Sequence, residues 1–134
     1  MAEPYSRIEN LYLPLSLLKR TRFYSEADQS ILGTIRCGVL FVMGFWSGTS
    51  RNAFAELKRV LEANDPNGRI ELIVVDTDGC PSLYELPEFV GKLHGNGEAA
   101  WVLEGKIVSR SGFGYHPECM EPNTRLLLSQ CSVK

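Results

Sequence analysis

The sequence lacks the features that mark three broad classes of protein. Among its 134 residues, 14 are basic and 16 are acidic, so no positive excess exists to neutralise a nucleic-acid backbone. No apolar run approaches the roughly 20 residues that a membrane-spanning helix needs. The first residues are acidic and aromatic where a secretory signal would have a basic start and an apolar stretch. We therefore expect a cytoplasmic protein whose partners include neither nucleic acid nor membrane.

Closely spaced cysteines are absent too, although the chain contains four cysteines: Cys37, Cys80, Cys119 and Cys131. None is separated from another by two residues, so the sequence has no C-x-x-C zinc or redox pair. Without a secretory signal, the expected state is four reduced thiols, most of them packed as small buried side chains. The H-x-x-C spacing of His116 and Cys119 is weak evidence for a zinc site. We expect neither a metal nor a cofactor.

The length and an ordinary composition predict one domain over residues 1–134. The chain is 44% hydrophobic and 22% charged, and no repeat, low-complexity segment or linker divides it. Residues 37–131 form the predicted core. Residues 1–36 are interpreted either as an added strand and helix or as an interaction arm, with a short helix beginning at Ser25. The oligomeric state is not predicted.

A strand–helix–strand unit is the clearest pattern in the chain. Residues 38–44 form a continuous apolar run between glycines, typical of a strand covered on both faces. Apolar residues then recur at helical spacing over 53–61, and the helix should end near Asn64. Residues 70–76 form a second strand. This order predicts two parallel strands joined by a crossover helix.

The second half of the chain predicts a helix, a hairpin and a final helix. The first helix begins at about Ser82 and is kinked or split by Pro87. Strands at 100–103 and 106–109 flank a tight turn. A last helix covers residues 124–131. The predicted fold class is therefore α/β, with βαβ followed by ββα, a mixed sheet, helices on both faces and an N-terminal extension.

This order resembles the thioredoxin fold over roughly residues 38–130. The most specific point is Trp46-Ser47-Gly48-Thr49-Ser50, which stands between the first strand and its helix, where thioredoxins carry Trp-Cys-Gly-x-Cys. Trp46 and Gly48 match, whereas serine occupies both cysteine positions. The cis-proline of the family should fall near Ala99, where this chain has no proline. The resemblance thus implies the fold of a thioredoxin with its reactive sulfur atoms replaced.

The replacement of sulfur by oxygen decides the functional interpretation. Thiol–disulfide exchange needs an attacking thiolate and a second thiol that resolves the mixed disulfide. A serine hydroxyl is far less acidic than a thiol and forms no reversible couple. Ser47, Thr49 and Ser50 are instead expected to cap the helix, or to hold a carboxylate, a phosphate or a peptide carbonyl. No residue is predicted to be catalytic in the chain as sequenced.

We therefore predict a redox-inactive binding module of the chaperone, adaptor or immunity and inhibitor type, whose partner is a protein or a peptide. The resemblance to thioredoxins places its binding surface at the motif and at the loop where the family has its cis-proline. The residues of this surface are Trp46, Ser47, Gly48, Thr49, Ser50, Ala99 and Ala100.

Two enzymatic alternatives remain open at this point. The first is a thioredoxin-like thiol–disulfide oxidoreductase whose cysteines at positions 47 and 50 are replaced by serine. The second is a one-cysteine peroxidase or glutathione-linked enzyme in which Cys80 is the reactive thiol. The codons at positions 47 and 50 separate the first alternative from the binding module.

Overall fold

The computed structural model describes residues 13–44, 48–86, 98–111 and 117–131. These residues contain five strands: β1 Thr21–Tyr24, β2 Cys37–Met43, β3 Glu71–Asp76, β4 Glu98–Leu103 and β5 Lys106–Arg110. The α-helices are α1 Leu15–Leu18, α2 Gly48–Asn64 and α3 Met120–Gln130. Short 3₁₀ helices cover Gln29–Thr34, Thr77–Gly79, Pro81–Glu85 and Pro117–Cys119. Among the described residues, no helix has the length and apolar composition to cross a bilayer.

The strands form one mixed sheet in the order β1-β3-β2-β4-β5. β3 pairs in parallel with both β1 and β2, whereas β4 is antiparallel to both β2 and β5. Phe41 in the middle of β2 lies opposite Val74 on one side and Ala99 on the other. The predicted mixed α/β sheet and its hairpin are therefore confirmed.

The described part of the N-terminal segment contributes a strand, because β1 adds to the sheet beside β3. The helix expected to begin at Ser25 is wrong. A 3₁₀ helix begins at Gln29 instead, since the Asp28 carboxylate accepts the backbone N–H of Ser30 at 3.0 Å. The N–H of Ala27 donates to the carbonyl of Gly79 at 2.9 Å. This bond holds the segment between β1 and the first 3₁₀ helix against the 3₁₀ helix Thr77–Gly79.

Strand β2 supplies both layers of the core. Val39, Phe41 and Met43 point to the face that α2 and α3 cover. Leu40 and Val42 point to the opposite face. Within the described ranges, 3₁₀ segments cover that second face. Ile31 and Leu83 are buried inside them, and Ile35 and Cys80 are buried at their ends. Alternation along one strand therefore distributes apolar side chains to two layers.

Two predicted helices begin earlier than expected. The helix placed at Ser82 is a 3₁₀ helix from Pro81, and Pro87 lies outside the described residues. The last helix begins at Met120 and includes Pro122, because the N–H groups of a first helical turn need no intrahelical acceptor. Thr124 is therefore inside α3, where its buried hydroxyl accepts from Trp101 Nε1 at 3.0 Å.

A disulfide joins Cys37, the first residue of β2, to Cys131, the residue after α3. Their Cα atoms are 6.2 Å apart, although the residues are separated by 94 positions in the chain. The expectation of four reduced thiols is therefore wrong. Its basis was the absence of a secretory signal, which carries no information about cysteines that the fold brings together.

A buried ion pair closes the turn between α2 and β3. The Asp65 side chain is 1% exposed and accepts from Arg20 Nη1, from the N–H of Ile70 at 2.7 Å and from the N–H of Arg69 at 3.0 Å. Arg20 also donates to the Ile70 carbonyl at 3.2 Å. One carboxylate thus ties the end of α2 to the residue preceding β1.

Replacing Asp65 by alanine should lower the free energy of unfolding by about 3–5 kcal/mol, because Arg20 and two backbone donors lose their acceptor. Urea unfolding followed by circular dichroism measures this loss. The matched control is Glu56→Ala, which breaks the exposed ion pair with Arg59 and should leave the midpoint nearly unchanged. Equal effects of the two substitutions would contradict the role assigned to Asp65.

Candidate functional site

The Ser47–Ser50 motif lies where β2 ends and α2 begins. β2 ends at Met43, residues 45–47 lie outside the described ranges, and α2 begins at Gly48. The register pairs Met43 with Asp76 of β3, and Val42 with Glu98 of β4. The carboxyl ends of the central parallel strands, where α/β folds generally place ligands, therefore meet beside the start of α2.

Ser50 is a structural residue in this arrangement. It is fully buried, and its Oγ accepts from the N–H of Gly44 at 2.9 Å and donates to Met43 Sδ at 3.3 Å. The hydroxyl therefore connects the first turn of α2 to the end of β2. A side chain held in this way offers no polar atom to a partner at the surface.

The predicted binding residues separate into exposed and buried members. Gly48 and Thr49 are exposed. Ala99 and Ala100 are fully buried, one in each layer of the core. Their predicted contact with a partner is therefore corrected, because strand alternation directs both side chains into the core. Trp46 and Ser47 lie outside the described residues.

Both backbone hydrogen-bonding groups of Ala99 are bonded to Ser111, the residue that follows β5. Its N–H donates to Ser111 Oγ at 2.9 Å, and its carbonyl accepts the N–H of Ser111 at 2.8 Å. A proline at this position would lack the donor. Where the resemblance places a proline, the chain therefore has a residue whose N–H is used in holding β4.

Two buried carboxylates flank the end of β2, and neither is among the predicted site residues. Glu98 is 1% exposed at the start of β4, and Asp76 is 7% exposed at the end of β3. Asp76 accepts the N–H of Asp78 at 3.0 Å, which begins the 3₁₀ turn after β3. The signal for Glu98 was its position at the start of a strand whose next residues are all apolar. Asp76 carried no such signal, since a strand end before a turn is usually solvated.

Cys80 lies between the two 3₁₀ helices that follow β3, and it is fully buried. Its Sγ donates to the Thr77 carbonyl at 3.8 Å. Burial, followed by the negative charges of Asp76 and Asp78, raises the pKa of the Cys80 thiol to about 12. The hypothesis of a reactive thiol at Cys80 is contradicted by this placement, because neither access nor the thiolate form is provided.

The other free thiol has a different environment. Cys119 is half-buried, and its Sγ donates to the Ser111 carbonyl at 3.8 Å. Burial and the charge of Glu118 raise its pKa. His116, its partner in the H-x-x-C spacing, lies outside the described residues. Within the ranges that are described, no three histidine, cysteine or acidic side chains form a metal-binding group.

Comparison with known proteins identifies the fold. No family model and no curated protein matches the chain. Solved structures do match, among them mitochondrial thioredoxin 3 of Saccharomyces cerevisiae, with TM-score 0.58, 15% identity and coverage of 82% of this chain and 97% of that one. Thioredoxin of Trypanosoma brucei brucei matches with TM-score 0.57 and 15% identity, and the match covers 81% of this chain and 95% of that one. Fasciola hepatica thioredoxin matches with TM-score 0.54 and 18% identity, and the match covers 83% of this chain and 100% of that one. The chain therefore has the thioredoxin-like fold, with serine at both motif positions.

Removing the Ser50 hydroxyl should destabilise the fold rather than a binding surface. The substitution Ser50→Ala leaves the buried Gly44 N–H without its acceptor, and we expect a loss of about 1–3 kcal/mol in the free energy of unfolding. Urea unfolding measures it, with exposed Thr49→Ala as the matched control in the same helical turn. A loss no larger than that of the control would show that Gly44 finds another acceptor.

Cys80 should resist alkylation in the folded protein. With a pKa near 12, only about one thiol in ten thousand is ionised at pH 8, and the folded chain also blocks access. Iodoacetamide labelling followed by peptide mass spectrometry should modify half-buried Cys119 first and Cys80 only after addition of urea. Rapid labelling of Cys80 in native protein would overturn its assignment as a core residue.

Proposed function

We propose that this chain is a thioredoxin-like binding module that holds a protein or peptide at the N-terminal end of α2, without dithiol exchange at positions 47 and 50. The observation that carries the proposal is the Ser50 hydroxyl, which is buried and bonded to Gly44 and Met43. An exchange reaction needs two sulfur atoms at these positions.

The start of α2 supplies groups that suit an extended peptide. The helix has 17 residues, and the first N–H groups of a helix have no acceptor within it. The positive end of its dipole favours carboxylate and carbonyl oxygens. Exposed Gly48 leaves this backbone open, since a Cβ built there would meet, among the described residues, only Arg51 Nη2, at 3.7 Å. Thr49 adds a hydroxyl at the same surface, and Trp46 and Ser47 precede it in the sequence.

The oxidoreductase alternative is supported by the thioredoxins that share this fold. It requires that cysteine is encoded at positions 47 and 50 in the source genome. Sequencing those two codons decides between the alternatives directly, since encoded serine removes the premise of the oxidoreductase.

A turnover assay tests the absence of exchange chemistry at the motif. With dithiothreitol as the reductant, the chain should reduce insulin disulfides at the rate of the blank without protein. The double variant Ser47→Cys, Ser50→Cys is the positive comparison and should exceed the blank, because it restores both sulfur atoms at the helix start. The proposal would be contradicted if the chain as sequenced reduced insulin above the blank and if the variant with alanine at both Cys37 and Cys131 did so as well.

A binding assay tests the placement of the surface. Peptides selected on the immobilised chain from a random library should bind at least about tenfold more weakly to Thr49→Arg and to Trp46→Asp, because these substitutions add charge to the proposed binding site. Ser129→Arg places the same side chain at an exposed position of α3 and should leave affinity unchanged. Peptides indifferent to both site variants would place the binding surface elsewhere.

A further inference from the structure

The Cys37–Cys131 disulfide has no part in the function proposed above. Cys37 is the first residue of β2, whereas the serine motif follows the last residue of that strand. The bridge and the motif therefore lie at opposite ends of the same strand. The following proposal is independent of the binding module, and either can fail without the other.

A surface cleft of about 450 Å³ gives access to the bridge. Its wall includes both bridged cysteines together with Arg36, Arg69, Glu71 and Glu104. Cys37 is the more exposed of the two cysteines, since it is half-buried while Cys131 is 6% exposed. A molecule of a few heavy atoms can therefore approach the disulfide from the cleft without unfolding the chain.

The charges of this cleft do not cancel. Arg36 lies 3.7 Å from Glu104, and Arg22, which is outside the cleft, lies 3.2 Å from Glu71. Within the described ranges, Arg69 pairs with no carboxylate. Its Nη2 donates only to the carbonyls of Leu128 at 3.1 Å and of Cys131 at 3.4 Å. Among the described residues, one positive charge beside the disulfide, that of Arg69, therefore has no carboxylate partner.

We propose that the Cys37–Cys131 bridge is a thiol–disulfide exchange site for low-molecular-weight thiols that carry a carboxylate. The carboxylate binds the exposed guanidinium of Arg69, and the sulfur of the same molecule reaches Cys37 from the cleft. Arg69 thereby raises the local concentration of an anionic thiol and stabilises its thiolate.

The exchange proceeds in two steps that balance. The small thiolate attacks Cys37 Sγ, the disulfide breaks, and Cys131 leaves as a thiolate that takes up a proton beside Arg69. A second small thiolate then attacks the sulfur of the first, which releases Cys37 as a thiolate that is protonated in turn. The protein gains two electrons and two protons, and two molecules of the small thiol become one disulfide.

Three two-carbon thiols of different charge test the proposal: mercaptoacetate, 2-mercaptoethanol and cysteamine. Each is added to the oxidised protein at equal thiolate concentration and low ionic strength. Reduction is followed by quenching with iodoacetamide and counting the modified cysteines by mass. Each rate is divided by the rate of the same thiolate with a neutral small disulfide, because the intrinsic nucleophilicity of a thiolate rises with the pKa of its thiol. On this scale mercaptoacetate should react up to about fivefold faster than neutral 2-mercaptoethanol, the upper range for one exposed charge pair, and cysteamine should react most slowly. This preference should disappear in 0.5 M salt.

Charge-matched variants locate the effect. Arg69→Gln should remove the preference for mercaptoacetate, whereas Arg125→Gln, which deletes an exposed arginine elsewhere, should keep it. Unchanged fluorescence of buried Trp101 verifies that both variants are folded. The proposal is overturned if the three normalised rates are equal, if the bridge resists the thiols until the chain unfolds, if Arg69→Gln retains the preference, or if the purified protein neither contains the bridge nor forms it with the oxidised thiols.

Discussion

The burial of β2 is the constraint on which the other elements depend. Residues 39–43 are at most 2% exposed, and the strand pairs with β3 on one side and β4 on the other. Both faces and both hydrogen-bonding edges are therefore occupied, so the strand can neither slide nor rotate without exposing apolar side chains. Its ends are consequently fixed points. One end positions the start of α2 and its serines, and the other positions Cys37.

The two ends of β2 carry different functional groups. At the carboxyl end, Ser50 is buried in the core, and Gly48 and Thr49 are exposed at the start of α2. At the amino end, a covalent sulfur pair lies beside an exposed arginine. The likeness to solved thioredoxins establishes architecture alone. Each end of β2 has to be interpreted from its own residues.

Local patterns predicted the elements that depend on neighbouring residues. The apolar run of β2, the helical spacing of α2 and the hairpin turn were all readable, and Glu104 and Gly105 adopt the positive φ angles of 51° and 79° that such a turn requires. Features set by distant residues were missed. The disulfide joins positions 94 apart, and Ala99 is buried because α2 and α3 cover its strand face. Small alanines give no indication of which face they occupy.

The bridge also divides the chain in its response to tension. Everything between Cys37 and Cys131 belongs to one covalent ring, while β1 and α1 lie outside it. A force applied on either side of the ring passes from sulfur to sulfur and bypasses it, so that stretching acts on the described elements outside it, which are α1, β1 and the 3₁₀ helix Gln29–Thr34. Opening the ring frees the segment between two cysteines that are 94 positions apart, about 300 Å of extended polypeptide. Under mechanical load, the oxidation state of one cysteine pair thus sets how far the segment between Cys37 and Cys131 can extend.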